Sequence, residues 1–245
     1  MKHTFTLILV VLCSTVWSQD VTVNTFDEAV HSGANTITEM FTFPASNTQY
    51  SQILMNFALT CPNGGCDPWD RYANMRAEKD GKWYEIGRYI TPYGNGNCTW
   101  TLDVTAYRDL LQGDVNLRSF IETWSAGWEI TIDFEFIEGT PDYAYTAISN
   151  LWVDYNKIYG DTLLVSNDLE ELFGVVPPNA EKVVVRIANT GHGQGNYMNA
   201  AEFAPMNHDI LLDGNTEWTQ YLWKDEWEQN VCSRGRGTCE FGRVC

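Results

Sequence analysis

Apolar and polar residues alternate with a period of two along much of this chain. One face of the segment before Cys61 has four apolar residues, Ile53, Met55, Phe57 and Leu59. The clearest alternation covers residues 129–136, where every second residue is isoleucine or phenylalanine and the residues between them are polar. Because successive side chains of a β-strand point to opposite faces, both segments are predicted to be half-buried strands.

The remaining apolar runs are short and are separated by turn residues. Asp80-Gly81 lies between two strand-like runs and predicts a hairpin. Further strands are predicted over Ile37–Phe43, Tyr84–Ile90, Tyr145–Val153, Lys182–Ile187 and Asp209–Leu212. Short helical patterns cover Ala106–Leu111 and Asp168–Phe173, each followed by glycine at or near its end. The chain is therefore predicted to be an all-β protein of sandwich or jelly-roll type.

The N-terminus has the pattern of a secretory signal peptide. A lysine at position 2 precedes a short apolar run over Phe5–Cys13, and Val16 and Ser18 fit a small-residue cleavage site. Residues 1–19 are therefore predicted to be a signal peptide, and the mature chain is expected to be secreted or periplasmic. The apolar run is too short for a membrane anchor.

Glycine and proline at 139 and 141 interrupt the pattern directly after the strongest predicted strand. The predicted organisation is an N-terminal domain over residues 20–138, a linker at 139–143 and a C-terminal domain over 144–245.

Composition limits the classes of partner. A formal net charge of −17 argues against nucleic acid and against anionic membranes. The 10 tryptophans and 12 tyrosines fit either a large β core or a site that stacks on a neutral ligand.

Cysteines of an exported protein are expected to form disulfides. Cys61 and Cys66 enclose Pro-Asn-Gly-Gly, which can turn tightly enough for them to pair. The pairing of the other four is left open; they are Cys98, Cys232, Cys239 and Cys245.

The most chemically distinctive segment follows this cysteine pair and reads Asp67-Pro68-Trp69-Asp70-Arg71. Carboxylates perform acid–base chemistry, indoles stack on sugar faces, and arginine binds polar substrates. A capped turn with a solvated charge pair is the plainer interpretation of the same residues.

Motifs along most of the chain resemble those of the peptide-N-glycosidase F family. In the first half they are TFDEAV at Thr25, FTFPA at Phe41, CPNGGCDPWDRYAN at Cys61, GKWYEIGRYITPY at Gly81, LDVT at Leu102, ETW at Glu122 and GTPDY at Gly139. In the second half the similarity rests on GHG at Gly191 and AEF at Ala201.

This resemblance implies two eight-stranded jelly rolls side by side, with the active site at their interface. It also implies a hydrolase that cleaves the amide between asparagine and the first N-acetylglucosamine of an N-linked glycan. The glycan would leave as a glycosylamine and the asparagine would become aspartate. N-glycosylated proteins or glycopeptides are the expected partners, with a monomeric enzyme and no membrane anchor.

The family motifs also imply roles for individual residues. The catalytic carboxylates would be Asp70, Glu122 and Glu202, and the substrate-binding residues would be Trp69, Arg71, Trp124 and Arg243. Asp67 receives no role from the match. Core packing remains the alternative for Trp124, and a solvent-facing strand position is the alternative for Glu122.

Metal chemistry is not expected. The copper monooxygenases share the paired jelly-roll architecture, but only His31, His192 and His208 follow the signal, too few for two histidine-rich copper sites. No cofactor is therefore predicted.

The second half departs from the family. No cysteine pair flanks Glu202, and the chain stops at Cys245, before a second jelly roll would be complete. A truncated C-terminal domain is predicted. The alternative function is a non-catalytic N-glycan-binding relative or an inactive fragment.

Overall fold

The protein is described by a computed structural model over residues 19–33, 36–63, 65–94, 96–125, 127–152, 171–188 and 206–222. Its strands, in chain order, are β1 (Val21–Asn24), β2 (Ala29–His31), β3 (Thr36–Phe43), β4 (Tyr50–Thr60), β5 (Tyr72–Lys79), β6 (Lys82–Ile90), β7 (Cys98–Asp103), β8 (Gly113–Ile121), β9 (Trp128–Glu138), β10 (Met206–Leu212) and β11 (Asn215–Leu222). The prediction of an all-β protein is confirmed.

Strands β1 to β9 form two antiparallel sheets. One has the order β1-β9-β4-β7, with β2 also paired to β9, and the other has the order β3-β8-β5-β6. Except for the β5–β6 hairpin, neighbours in each sheet are distant in sequence, and most successive strands lie in opposite sheets, which is the arrangement of a jelly roll. Strands β10 and β11 form a separate antiparallel hairpin.

The core lies between the two sheets and follows the predicted alternation. All four apolar residues predicted on one face of β4 are at most 2% exposed, and so are the four of β9: Ile130, Ile132, Phe134 and Phe136. Strands β4 and β9 pair along their length, so these two sets lie beside each other. Phe43 of the opposite sheet meets Phe134 edge to face, with ring centroids 5.2 Å apart.

One buried polar contact also joins the sheets. Nε2 of His31 on β2 lies 2.9 Å from Oγ of Ser119 on β8, and both side chains are fully buried. Burial raises the pKa of the neighbouring Tyr89 hydroxyl, which also interacts with Ser119. A buried polar group is stable only when paired, so this contact helps to fix how the sheets are aligned.

The predicted hairpin at Asp80-Gly81 is confirmed and joins β5 to β6. Both residues have positive φ, 53° for Asp80 and 71° for Gly81. Two successive positive φ values are the requirement of a type I′ turn, whose twist matches that of the flanking strands.

Two predicted strands are absent where the structure describes their residues. Residues 145–152 and 182–187 have no strand structure. The side chains of Val183, Val184 and Val185 are 60%, 66% and 48% exposed. A β-propensity run becomes a strand only when another strand satisfies its backbone, and within the described ranges none pairs with it.

The helical prediction over Ala106–Leu111 is confirmed only in part, and that over Asp168–Phe173 is wrong where its residues are described. The pattern over Ala106–Leu111 forms a 3-10 helix at Thr105–Tyr107 followed by turns. Residues 171–173 are not helical, and the rest of Asp168–Phe173 lies outside the described residues. Over the part of the chain that is described, no helix is long and apolar enough to cross a membrane.

Candidate functional site

Four loops meet at one end of the sandwich. They connect β2 to β3, β4 to β5, β6 to β7 and β8 to β9. Ala73 of β5 pairs with Ile121 of β8, so the chain entering β5 and the chain leaving β8 emerge side by side. The Glu122 N–H continues this contact by donating to the Tyr72 carbonyl at 2.9 Å. The two acidic and aromatic motifs of the sequence are thus brought together.

The β4–β5 loop begins with the expected disulfide. Cys61 and Cys66 are bonded, with their Cα atoms 4.6 Å apart. The bridge closes a short loop directly before Asp67, so it restricts the backbone that leads into the site.

Replacing both Cys61 and Cys66 by alanine is expected to lower the free energy of unfolding by about 2 kcal/mol, since a short closed loop constrains the unfolded chain only modestly. Urea unfolding of the two proteins side by side measures the difference, and replacing both cysteines by serine, which also removes the bridge but nearly keeps the side-chain size, controls for the lost side chains. Equal unfolding free energies for the double variant and the unaltered chain would contradict this prediction.

Asp67 is the centre of the loop. Its side chain is fully buried, and its carboxylate accepts hydrogen bonds from the Trp69 N–H at 3.0 Å and from the Thr123 hydroxyl at 2.7 Å. The Arg71 guanidinium donates to both oxygens, from Nε at 2.7 Å and from Nη2 at 3.2 Å. The Asp67 N–H donates to the Gly127 carbonyl at 3.0 Å. One residue therefore links the β4–β5 loop to the β8–β9 loop.

The charge of Asp67 is maintained by these contacts. Burial by itself would raise the pKa of the Asp67 carboxyl, but the hydrogen bonds from Arg71, Thr123 and Trp69, together with the Arg71 charge, bring the pKa below its usual value of 3.8. A lowered pKa in the folded state contributes stability above the usual pKa, and that stability is lost as the pH falls through the folded-state value. Asp67 is therefore ionised at neutral and mildly acidic pH.

One exposed aromatic ring packs against Arg71, and two others pair with each other in the neighbouring loops. The Arg71 guanidinium carbon lies 4.4 Å from the centroid of the Trp124 ring. Trp69 meets Tyr93 edge to face, with ring centroids 5.7 Å apart. Trp69, Tyr93 and Trp124 are 53%, 51% and 62% exposed, so Trp124 is not a core residue. Exposed indoles beside a guanidinium suit the apolar face and the hydroxyls of a sugar.

A third loop holds the same segment from the other side. The Arg71 N–H donates to the Thr91 hydroxyl at 2.7 Å, and the Thr91 N–H donates to the Arg71 carbonyl at 2.9 Å. The Gly94 N–H donates to the Pro68 carbonyl at 2.8 Å, which places Tyr93 beside Trp69. The β6–β7 loop therefore fixes the backbone on both sides of Asp70.

Two of the carboxylates with predicted catalytic roles, Asp70 and Glu122, lie within the described residues. Asp70 lies between Trp69 and Arg71, and Glu122 directly follows β8; both are partly exposed. The other two predicted site residues, Glu202 and Arg243, lie outside the described residues.

An ion pair between Arg88 and Glu85 lies on β6. Arg88 binds Glu85 through both carboxylate oxygens, at 2.7 and 2.8 Å, and its guanidinium carbon lies 5.0 Å from the Tyr72 ring centroid. Within the described ranges, no group of three or more histidine, cysteine or acidic side chains is placed to hold a metal ion.

Sequence reasoning gave no role to three residues of the site, namely Asp67, Thr123 and Tyr93. One local signal was available for Asp67, because an aspartate two residues before a bonded N–H and four before an arginine forms an Asx turn with an ion pair. Thr123 and Tyr93 gave no such signal, since their partners come from other loops.

By its fold and its site, this protein is a jelly-roll β-sandwich protein with carboxylate, arginine and indole side chains at its loop end. The chain is 35% identical to peptide-N(4)-(N-acetyl-β-D-glucosaminyl)asparagine amidase F of Elizabethkingia miricola, over 82% of this chain and 62% of that relative. The resemblance to the peptide-N-glycosidase F family is thereby confirmed. The chain spans less than two thirds of the relative's length. No family model matches the chain.

Solved structures show the same resemblance. A crystal structure of peptide-N(4)-(N-acetyl-β-D-glucosaminyl)asparagine amidase matches with a TM-score of 0.69 at 28% identity, covering 90% of this chain and 81% of that one. PNGase F, described as a glycosylasparaginase from Flavobacterium meningosepticum, matches with a TM-score of 0.70 at the same identity and coverage. PNGF-II, at 15% identity and a TM-score of 0.52, supports the fold alone.

Proposed function

We propose that this chain is an exported glycoamidase. It hydrolyses the amide between asparagine and the first N-acetylglucosamine of N-linked glycans, releases the glycan as a glycosylamine and leaves aspartate in the peptide. The observation that supports this most is the joining of the Trp69-Asp70-Arg71 segment to the Glu122–Trp124 segment, in a chain similar to peptide-N-glycosidase F over 82% of its length.

In this proposal Asp70 activates water or otherwise engages the scissile amide. Glu122 and Glu202 hold the sugar core and stabilise the transition state. Trp69 and Trp124 stack on sugar rings, and Arg71 donates hydrogen bonds to polar groups of the substrate. Arg243 is proposed as a further substrate contact.

The surroundings of the site suit a neutral substrate. A protein of net charge −17 repels polyanions, whereas a glycan attached to asparagine is bound through hydrogen bonds and stacking. The proposed enzyme is secreted or periplasmic and monomeric, acts on N-glycosylated proteins or glycopeptides, and needs no cofactor.

A product test decides this proposal. The full chain is incubated with a denatured N-glycoprotein in heavy-oxygen water, and the peptides are read by mass spectrometry. The expected result is an intact free glycan, with each former glycosylation site converted to aspartate that contains one heavy oxygen. Cleavage between two sugars, which would leave N-acetylglucosamine on the asparagine, would contradict amidase chemistry.

A non-catalytic glycopeptide-binding relative is the second candidate. The exposure of Trp69 and Trp124 favours it, because such rings bind sugars with or without turnover. Glycopeptide binding measured by tryptophan fluorescence, without any free glycan after prolonged incubation, would establish this function in place of the first.

A further inference from the structure

We propose that Asp67 is the positioning residue of this site, acting on substrate through Arg71. The inference rests on the proposed function, because it concerns how the glycoamidase site holds its substrate. It assigns a role to a carboxylate that the family motifs leave without one.

The hydrogen bonding of Asp67 excludes direct contact with substrate. An ionised carboxylate has about four acceptor sites. Asp67 uses four, for the Trp69 N–H, the Thr123 hydroxyl and two N–H groups of Arg71. Its side chain is also fully buried. Asp67 is thus shielded from solvent and its hydrogen-bonding capacity is met by the protein.

Arg71, in contrast to Asp67, keeps hydrogen-bonding groups that can reach a substrate. A guanidinium has five N–H donors in a fixed plane, and Asp67 takes one from Nε and one from Nη2. Among the described residues no partner takes the other three donors, which can bind carbonyl or hydroxyl oxygens of a ligand. Because the pair is bidentate, the plane of the guanidinium is fixed, and it lies against the exposed Trp124 ring.

Asp67 also sets the backbone around the catalytic candidate. Its contact with the Trp69 N–H shapes the turn that leads to Asp70, and its contact with Thr123 lies between Glu122 and Trp124 in sequence. A single carboxylate thereby determines how the two segments of the site face each other. Preorganised donors bind without paying to order the side chain after the substrate arrives.

Asp67→Asn tests this role, because the amide keeps the size of the carboxylate but turns one acceptor into a donor. The new amide N–H groups would face the N–H and O–H donors that bind the carboxylate, so the ion pair between Asp67 and Arg71 is lost. The Michaelis constant for a glycopeptide is expected to rise about 10- to 100-fold, the range for a lost charge-assisted contact, with a smaller change in kcat. A fall in kcat with an unchanged Michaelis constant would overturn the proposal.

A double-mutant cycle separates positioning from general damage to the fold. Arg71→Lys removes the bidentate fork. If Asp67 acts through Arg71, the double variant of Asp67→Asn and Arg71→Lys loses less kcat/KM than the product of the two single losses. A loss equal to that product would show that Asp67 contributes nothing through Arg71 and would overturn the proposal. Thermal unfolding of each variant confirms that folded proteins are compared.

An NMR measurement that needs no turnover tests the role of Asp67 separately from the test of the proposed function. In nitrogen-15 NMR of the full chain, the Nε–H of Arg71, assigned by its absence in Arg71→Lys, is expected to exchange slowly with water. Asp67→Asn should speed this exchange at least about 10-fold, whereas Thr123→Val should leave the signal in place because the Arg71 contacts remain. An unchanged Arg71 signal in Asp67→Asn would overturn the inference even if glycans are released.

Discussion

Asp70→Asn is expected to lower the rate of glycan release by about 100- to 10,000-fold, the usual contribution of a general acid or base. The amide of asparagine has nearly the same size as the carboxylate but can neither accept a proton nor become charged. The backbone at Asp70 is held by Thr91 and by the Asp67 turn, so the exchange should leave the fold intact. Glycopeptide binding should persist, since Trp69, Trp124 and Arg71 are unaltered.

Asp114→Asn is the matched control for this variant. It makes the same chemical change and the same change in net charge at the start of β8, the end opposite Glu122, where Asp114 accepts a hydrogen bond from Thr42. Single-turnover release of glycan from a labelled glycopeptide measures both variants. If Asp70→Asn released glycan as fast as Asp114→Asn, Asp70 would have no catalytic role.

Gly127→Ala is expected to cost more than about 3 kcal/mol of unfolding free energy, through backbone strain combined with overpacking. Gly127 has a φ of 92°, which side chains with a Cβ rarely adopt, and a Cβ there would overlap the carbonyl oxygen of His31. His31 belongs to β2, which pairs with β9 at Trp128, so the neighbouring backbone has little freedom to move. The Gly127 carbonyl also accepts the Asp67 N–H, so the site should be disturbed as well.

Gly33→Ala separates the two causes of this loss. Gly33 also has a positive φ, 69°, but a Cβ there would meet no atom within 4 Å. Its substitution should cost only the backbone strain, about 1 kcal/mol. Denaturant unfolding of both variants gives the difference, and equal costs would show that the approach of β2 to Gly127 does not matter.

The sequence predicted the core better than the site. The strands β4 and β9 were predictable because each buries one face, and burial imposes a period of two. The triple valine at 183–185 has the same local preference but remains exposed coil. Propensity shows which segments could pair, whereas pairing depends on strands elsewhere in the chain.

The resemblance to a family located the motifs of the site but not the way they are joined. Trp69, Asp70 and Arg71 were found because they are consecutive, and Glu122 and Trp124 because they are close in sequence. Thr123, between them, binds a carboxylate 56 positions earlier in the chain. No local pattern encodes such a contact, because it depends on β5 and β8 being neighbours in the sheet.

The β5–β6 turn has a practical consequence for handling the protein. Asp80 and Gly81 are exposed at the far end of β5, about 25 Å of strand from Tyr72 and the loops beyond it. A tether placed at this turn would attach the molecule to a solid support with its loop end directed away from the support. Immobilised in this orientation, the protein would present Trp69 and Trp124 to the surrounding solution.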